Sequence, residues 1–408
     1  MIKKISFQQL RPGMFVSDFN AGWMNHPFML NSMKIDTDEQ VAKVRASGIR
    51  ELFIDTARGD DVSDAPTRRE AAAETERQLA NVGQTQKPRI PERRASLAEE
   101  LSRAKNTFGE ATRVIRNVMD DIRLGRQMEV DTARDVVEKI TGSVMRNGNA
   151  MMTMRRLKSN DDYTFLHSVS VCTMLTSFAR AMGFDAGMTQ EVALGALLHD
   201  IGKMRVNLSL LNKPAKLSTE EFRHMKSHVV LGADLLRQMQ GVPAIAFEPL
   251  ELHHERFDGS GYPHGLKGNE ISLVGRMSAI VDVYDAITSE RCYHEPISPP
   301  EAIRKLFEWS KHHFDAELVQ VFVKSVGIYP VGALVRLESG RLGIVLEQRD
   351  SNLLTPVVRV VFDGKRNYYL APEDVDLSRP VGAGGGDRIV GHESPGKWGI
   401  DVTRFIGN

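Results

Sequence analysis

Between Leu97 and Ile122 apolar residues return at spacings of three and four: Leu97, Leu101, Ala104, Phe108, Ala111, Ile115, Val118 and Ile122. That period lays one apolar stripe along a long helix. The stripe reads either as an ordinary packed helix or as a dimerising arm over residues 96–124, since a long exposed stripe needs a partner. Helical patterning then dominates to about residue 310. One helix is expected from Asp131, a candidate cap, to Met145, and another over His167–Met182 with Gly183 as its stop. Thr189 is the candidate cap of a helix carrying Val192, Leu194, Leu197 and Leu198 into His199 and Asp200. Ser218 and Glu221 form a capping box for a helix reaching about Met239, and a further helix covers Val274–Ser289.

The two ends carry other patterns. Residues 1–57 read as a small α+β module: alternating segments at Ile2–Phe7 and Met14–Val16, a helix near Asp38–Ser47 ended by Gly48, and a strand over Ile49–Ile54. Residues 58–95 are polar and interrupted, so a linker or loosely held arm is expected, with a Glu-rich middle able to turn helical. Residues 96–149 form a helical arm leading into a core at 150–328. After about Tyr329 apolar and polar residues alternate around turns at Glu338–Gly340 and Asp363–Gly364, which predicts a β module of three to five strands within 329–408. The glycine-rich stretch at 381–387 marks a loop.

Charge and cysteine usage remove several functions. Lys+Arg and Asp+Glu each number 53, so no global basic field exists to hold a nucleic-acid polymer. Cys172 and Cys292 lie far apart without CxxC spacing, which argues against a disulfide framework and a thiolate zinc site. No apolar run approaches the length of a membrane span, and the first residues lack the apolar core of a leader. A cytoplasmic protein with no membrane partner is expected.

The chemistry concentrates in one place. Of 12 histidines, seven fall between residues 167 and 264, and several sit beside strongly apolar helix faces. The candidate ligands are His167, the pair His199 and Asp200 in HDIGK, His228, the pair His253 and His254 in HHERFDGSGYP, and Asp282 in VDVYD. Nitrogen and oxygen donors without thiolate suit iron, manganese, nickel, cobalt or zinc. Two divalent ions about 3.5–4 Å apart can share a carboxylate and a hydroxide that is nucleophilic at neutral pH. Asp200 is the candidate bridging carboxylate. The resulting positive centre favours an anionic phosphodiester. In DGSGYP, Gly259 and Gly261 open backbone conformations and Pro263 stiffens the turn, so a rigid loop follows the two adjacent imidazoles.

HDIGK at 199–203, HHERFDGSGYPHGLKG at 253–268 and VDVYDAITSERCY at 281–293, in that order, resemble the HD-GYP family of bacterial cyclic dinucleotide phosphodiesterases. The resemblance covers about residues 150–310. It implies an all-helical HD domain whose metal ligands are His167, His199, Asp200, His228, His253, His254 and Asp282, with His224 unassigned. It implies that Lys203 meets a substrate phosphate or helps protonate the leaving group, and that Gly261, Tyr262 and Pro263 form the signature loop, with Arg291 among the substrate residues. Members with a third metal carry a glutamate one helical turn before the first histidine; here Tyr163 stands there, while Asp161 and Asp162 are off that face, so two ions, iron or manganese, are expected.

The implied reaction is hydrolysis of cyclic di-GMP to pGpG, and onward to GMP, by attack of a metal-bridging hydroxide. Two rivals remain open: a phosphohydrolase acting on another nucleotide, and a non-catalytic cyclic di-GMP binding or scaffold protein with signalling-protein partners. The segment with RPGMFV, WMNHPF and SGIRELFID resembles an accessory domain often found ahead of such modules. The expected fold is therefore multidomain and mainly α: an HD-type catalytic domain between a small N-terminal α+β module and a small C-terminal β module.

Overall fold

A computed structural model describes residues 1–20, 32–82, 95–126, 130–156, 163–211, 213, 217–289, 296–349, 352–380 and 386–406. At the N-terminus β1 (Ile2–Ser6), β2 (Phe15–Asp18), β3 (Met33–Lys34), α1 (Asp38–Ala46) and β4 (Glu51–Asp55) form an antiparallel sheet in the order β1-β4-β2-β3, with α1 packed on it. Thr37 and Gln40 cap α1 reciprocally, and Gly48 leaves it at φ 75°. Ile5, Val16, Ile35, Val44, Leu52 and Ile54 fill a separate small core.

The described part of the polar stretch that follows, residues 58–82, is more ordered than its composition predicts. It contains α2 (Arg68–Val82), which buries Thr75, Leu79 and Val82. The spacing of four and three between those residues makes a narrow buried face in an otherwise charged, Ala-rich helix, and average polarity conceals it.

The centre is all helical: α3 (Leu97–Arg123), α4 (Val130–Arg156), α5 (Tyr163–Ala181), α6 (Ala186–Leu198), α7 (Leu208–Leu211), α8 (Thr219–Lys226), α9 (His228–Arg237), α10 (Phe247–Leu252), α11 (Leu273–Thr288), α12 (Pro299–Trp309) and α13 (Ala316–Val326). The α3 stripe lies against α4 and is buried from Ala104 to Ile122. The stripe is therefore spent inside the chain, which removes it as a dimer surface. Asp131 lies in the first turn of α4, and α4 is interrupted at Asn147, whose side chain bonds Ala95 O at 3.0 Å.

Two local expectations are corrected. The cap of α6 is Asp185, which accepts from Met188 N at 2.8 Å, while Thr189 is buried one turn inside. The Ser218–Glu221 capping box is present, but the helix does not run unbroken to Met239: it ends at Ser227 and restarts at His228. That break places an imidazole at a helix start.

After the helices, β5 (Leu334–Leu337), β6 (Arg341–Arg349), β7 (Asn352–Asp363), β8 (Tyr368–Asp376) and β9 (Ile389–Glu393) form an antiparallel sheet ordered β8-β7-β6-β5-β9, followed by α14 (Pro395–Trp398) and α15 (Thr403–Ile406). Strand alternation sends Val335, Val345, Val358 and Val360 into one apolar cluster and Leu334, Ile344 and Val361 into another, against which Leu97 and Leu101 of α3 also pack. Most of the glycine-rich loop, 381–385, lies outside the described residues.

Candidate metal centre

Five helices and the residues just beyond two of them aim imidazoles and carboxylates at a single point. His167 comes from the first turns of α5, His199 closes α6 with Asp200 next to it, His228 opens α9, His253 closes α10 with His254 beside it, and Asp282 projects from α11. The turn after Asp200 can approach α9 only because position 202 is glycine: a Cβ there would lie 1.9 Å from His228 O. All seven side chains are buried, the most exposed being His254 at 6%. Seven polar groups withdrawn from water need partners of their own.

The donors sort into two facing sets. Asp200 Oδ2 lies 3.5 Å from His167 Nε2 and 3.4 Å from His199 Nε2, while its Oδ1 lies 3.5 Å from His228 Nε2 and 3.9 Å from His253 Nε2. Asp282 likewise turns Oδ1 to His167 Nε2 at 3.2 Å and Oδ2 to His254 Nδ1 at 3.8 Å. Three clusters of ligand geometry result: His228, His253 and His254; His167, His199 and Asp282; His199, Asp200 and His253.

The outer ring atoms explain why the inner ones are free to coordinate. His199 Nδ1 donates to Ala196 O at 2.8 Å, His228 Nδ1 to Met225 O at 2.7 Å, and His253 Nδ1 to Leu250 O at 2.9 Å. Each Nδ1 proton is thereby committed, and each Nε2 lone pair points inward, the arrangement of a metal-ligating histidine. His228 Nε2 and His253 Nε2 then face each other as two lone pairs at 3.4 Å, while His199 Nε2 and His167 Nε2 lie 3.2 Å apart. Two lone pairs at that separation repel unless a cation lies between them. Asp200 Oδ1, buried without a hydrogen-bond donor, makes the same demand. The residues fit a metal site.

The electrostatics agree. Burial pushes His228 down to about 4 and His253 down to about 3, and holds His254 well below the ordinary imidazole range, so these rings are neutral at pH 7, the state in which an imidazole can coordinate a metal. Burial opposes ionisation of the two aspartates, but Lys203 and His199 around Asp200, and His167 and His254 around Asp282, outweigh it and hold both well below the ordinary carboxylate range. Lys203 Nζ donates to Asp200 Oδ2 at 2.5 Å.

The signature loop borders this centre. Tyr262 stacks on the His254 ring with centroids 4.6 Å apart, and its N–H donates to His254 O at 3.2 Å. A Cβ on Gly261 would stand 2.4 Å from Arg256 N, so glycine is required there by the close approach of the preceding strand of chain. Pro263 follows through a cis peptide bond. His224 is exposed on α8 and belongs to none of the three clusters. Arg291 lies outside the described residues.

Sequence reasoning passed over two residues. Asp285 Oδ2 accepts the His167 Nδ1 proton at 2.7 Å, so it does for His167 what backbone carbonyls do for three other rings. Glu255, fully buried, accepts from His264 N, Gly265 N and Leu266 N at 2.8, 3.2 and 3.1 Å, which pins the loop beyond Pro263. The three-residue step from Asp282 to Asp285 was a legible signal, since it puts both on one helix face; nothing in the local pattern marks Glu255.

Comparison with known proteins agrees with this geometry. The HD domain profile matches residues 150–318, and the profile of a domain of unknown function, DUF3391, matches residues 2–133. Over 400 residues the chain is 42% identical to the cyclic di-GMP phosphodiesterase PA4108 of Pseudomonas aeruginosa, an alignment covering 98% of this chain and 94% of that one. The chain belongs to the HD-GYP family. This HD-GYP chain is also 37% identical over 165 residues to the cyclic di-GMP phosphodiesterase of Thermotoga maritima, an alignment covering 40% of this chain and 45% of that one. The 3'3'-cGAMP-specific phosphodiesterase 2 of Vibrio cholerae is 30% identical over 196 residues, 45% of this chain and 38% of that one. Among the described residues of this HD-GYP protein no helix is long and apolar enough to cross a membrane.

Proposed function

We propose that this protein is a metal-dependent phosphodiesterase that hydrolyses cyclic di-GMP to pGpG and onward to GMP. The observation that carries the reading is the convergence of seven buried donors, four of them histidines with inward Nε2 atoms, in a chain 42% identical to a cyclic di-GMP phosphodiesterase along nearly its whole length. In this reading His167, His199 and Asp282 hold one divalent ion and His228, His253 and His254 a second, iron or manganese in each case. Asp200 serves both, because its two oxygens face the two sets. Bound there, such ions activate water and neutralise charge on the phosphodiester.

The chain's own groups do the rest. The carbonyl and Asp285 contacts keep the rings oriented, and Lys203, 20% exposed at the edge of the centre, is placed to meet a substrate phosphate or to give a proton to the leaving oxygen. Gly261, Tyr262 and Pro263 wall the substrate side. Tyr163 in place of a glutamate favours two ions over three, which makes the second cut the slower one.

The same proposal divides the chain into an accessory module at 1–57, a connector at 58–95, a helical arm at 96–149, the catalytic domain at 150–328 and a β extension at 329–408, acting in the cytoplasm. A second reading, hydrolysis of another cyclic dinucleotide, is favoured by the kinship with a 3'3'-cGAMP-specific enzyme.

The test is anaerobic turnover with protein of known metal content, offered cyclic di-GMP and 3'3'-cGAMP separately, beside Asp200→Asn. Formation of pGpG from the wild type and its loss by at least about 100-fold in the variant are expected. Faster turnover of 3'3'-cGAMP would transfer the assignment to the second reading. Bound substrate without turnover under iron and manganese alike would make the protein a binder.

A further inference from the structure

The N-terminal module, for which no chemistry is assigned, sits directly on the loop that carries Tyr262. Asp258 is the joint. Its Oδ1 accepts from Ser260 N at 3.0 Å and Ser260 Oγ at 2.6 Å, forming the turn that leads into Gly261. Its Oδ2 faces outward, to Arg50 Nε at 3.1 Å and His313 Nδ1 at 3.4 Å. Arg50 stands just before β4, 208 residues away in sequence. Gly48 presses on the same turn: a Cβ built there would lie 2.8 Å from Ser260 Cβ.

The surrounding contact is a built one. Trp309 Nε1 donates to Asn20 O at 2.7 Å, and buried Lys4 pairs with Glu51 at 2.7 Å and reaches Glu308 at 4.0 Å. Phe257 N donates to His313 O at 2.9 Å, tying the loop's base to the turn that follows α12. Burial opposes the Asp258 charge, but His313 and Ser260 outweigh it and hold the carboxyl well below its ordinary range. Asp258 is therefore an anion at neutral pH, 12% exposed, against an Arg50 that is 49% exposed.

We propose that the N-terminal module positions the signature loop, with Arg50 acting through Asp258 to hold the turn that presents Gly261, Tyr262 and Pro263 to the metal centre. Arg50 is a positioning residue, since it touches none of the metal ligands. One carboxylate shapes the turn with one oxygen and anchors it to another module with the other. Displacement of the module therefore moves the Tyr262 ring that stacks on His254. The effect on turnover rests on the phosphodiesterase reading; the effect on the loop does not.

The experiment uses the full chain as wild type, Arg50→Ala, Arg50→Lys, Asp258→Asn and the Arg50→Ala/Asp258→Asn double variant. Amide hydrogen exchange over residues 255–268 is measured alongside cyclic di-GMP turnover and metal content. Arg50→Ala is expected to speed exchange in that segment and lower turnover by about three- to fivefold at unchanged metal content, with Arg50→Lys recovering most of both. In the Asp258→Asn background, removal of Arg50 should add little. Unchanged loop exchange in Arg50→Ala, or fully additive effects in the double variant, overturns the proposal. Altered exchange in a chain that never hydrolyses cyclic di-GMP would uphold it and sink the substrate reading alone.

Discussion

Asp285 takes the Nδ1 proton of His167 inside a site where both are almost wholly buried. Replacing it by asparagine keeps the size and removes the charge that fixes the tautomer and raises the basicity of the inward nitrogen. Outer partners of this kind contribute about 10–100-fold in metal affinity. Asp285→Asn should therefore fold, bind manganese about 10–100-fold more weakly by titration, and recover activity at high metal; affinity equal to wild type would remove the tautomer argument. Gly261 makes a steric claim at the same scale. A Cβ 2.4 Å from Arg256 N cannot be accommodated without moving backbone, so Gly261→Ala should cost about 1–3 kcal/mol in urea unfolding.

At the scale of elements, the α3–α4 pair rests on an internal charge. Glu100, fully buried on α3, accepts from Arg146 Nε at 2.7 Å, Arg146 Nη2 at 2.8 Å and Ser143 Oγ at 2.8 Å. Burial alone would raise its pKa, but the Arg146 and Ser143 hydrogen bonds outweigh that and lower it. A carboxyl lowered in the fold stabilises above its unfolded value, 4.5, and loses that contribution as pH falls through the folded value. Arg146→Ala strands the buried charge, with a cost of about 3–5 kcal/mol at pH 7. The cost should shrink as the pH falls from 4.5 through the lower folded value, where the native Glu100 carboxylate takes a proton; urea midpoints at pH 7 and across that acid range check this. α2 teaches a different lesson, since its buried face is three residues wide and its docking partner, α12, comes some 230 residues later: Thr75 Oγ1 meets Glu308 across 233 positions.

At the scale of the whole molecule, folding brings five separate segments to one buried centre, and a ligand for that centre stabilises the fold by mass action. Free of cations, the facing Nε2 atoms of His228 and His253 and the Asp200 carboxylate oppose one another. Saturating manganese should raise the unfolding temperature of chelator-treated protein by about 8 °C or more, read by calorimetry under anaerobic conditions. The rise should vanish in Asp200→Asn. An equal rise in both would mean binding elsewhere.

The sequence by itself determined the class of the N-terminal, central and C-terminal segments and the donor set, because hydrophobic period and side-chain chemistry are local properties. The stripe from Leu97 to Ile122, the alternation after Tyr329, the Ser218–Glu221 cap and the histidines of HDIGK and HHERFDG are legible within a few residues of themselves. Tertiary structure decided what those pieces meet. It spent the α3 stripe on α4, docked α2 from an apparent linker, broke one long helix at Ser227, and turned the Nε2 atoms of His167, His199, His228 and His253 toward a common point. The spacing from Asp282 marks the helix face of Asp285, but its partner His167, 118 positions away, and the meeting of Arg50 with Asp258 across 208 are settled only when separate apolar faces pack.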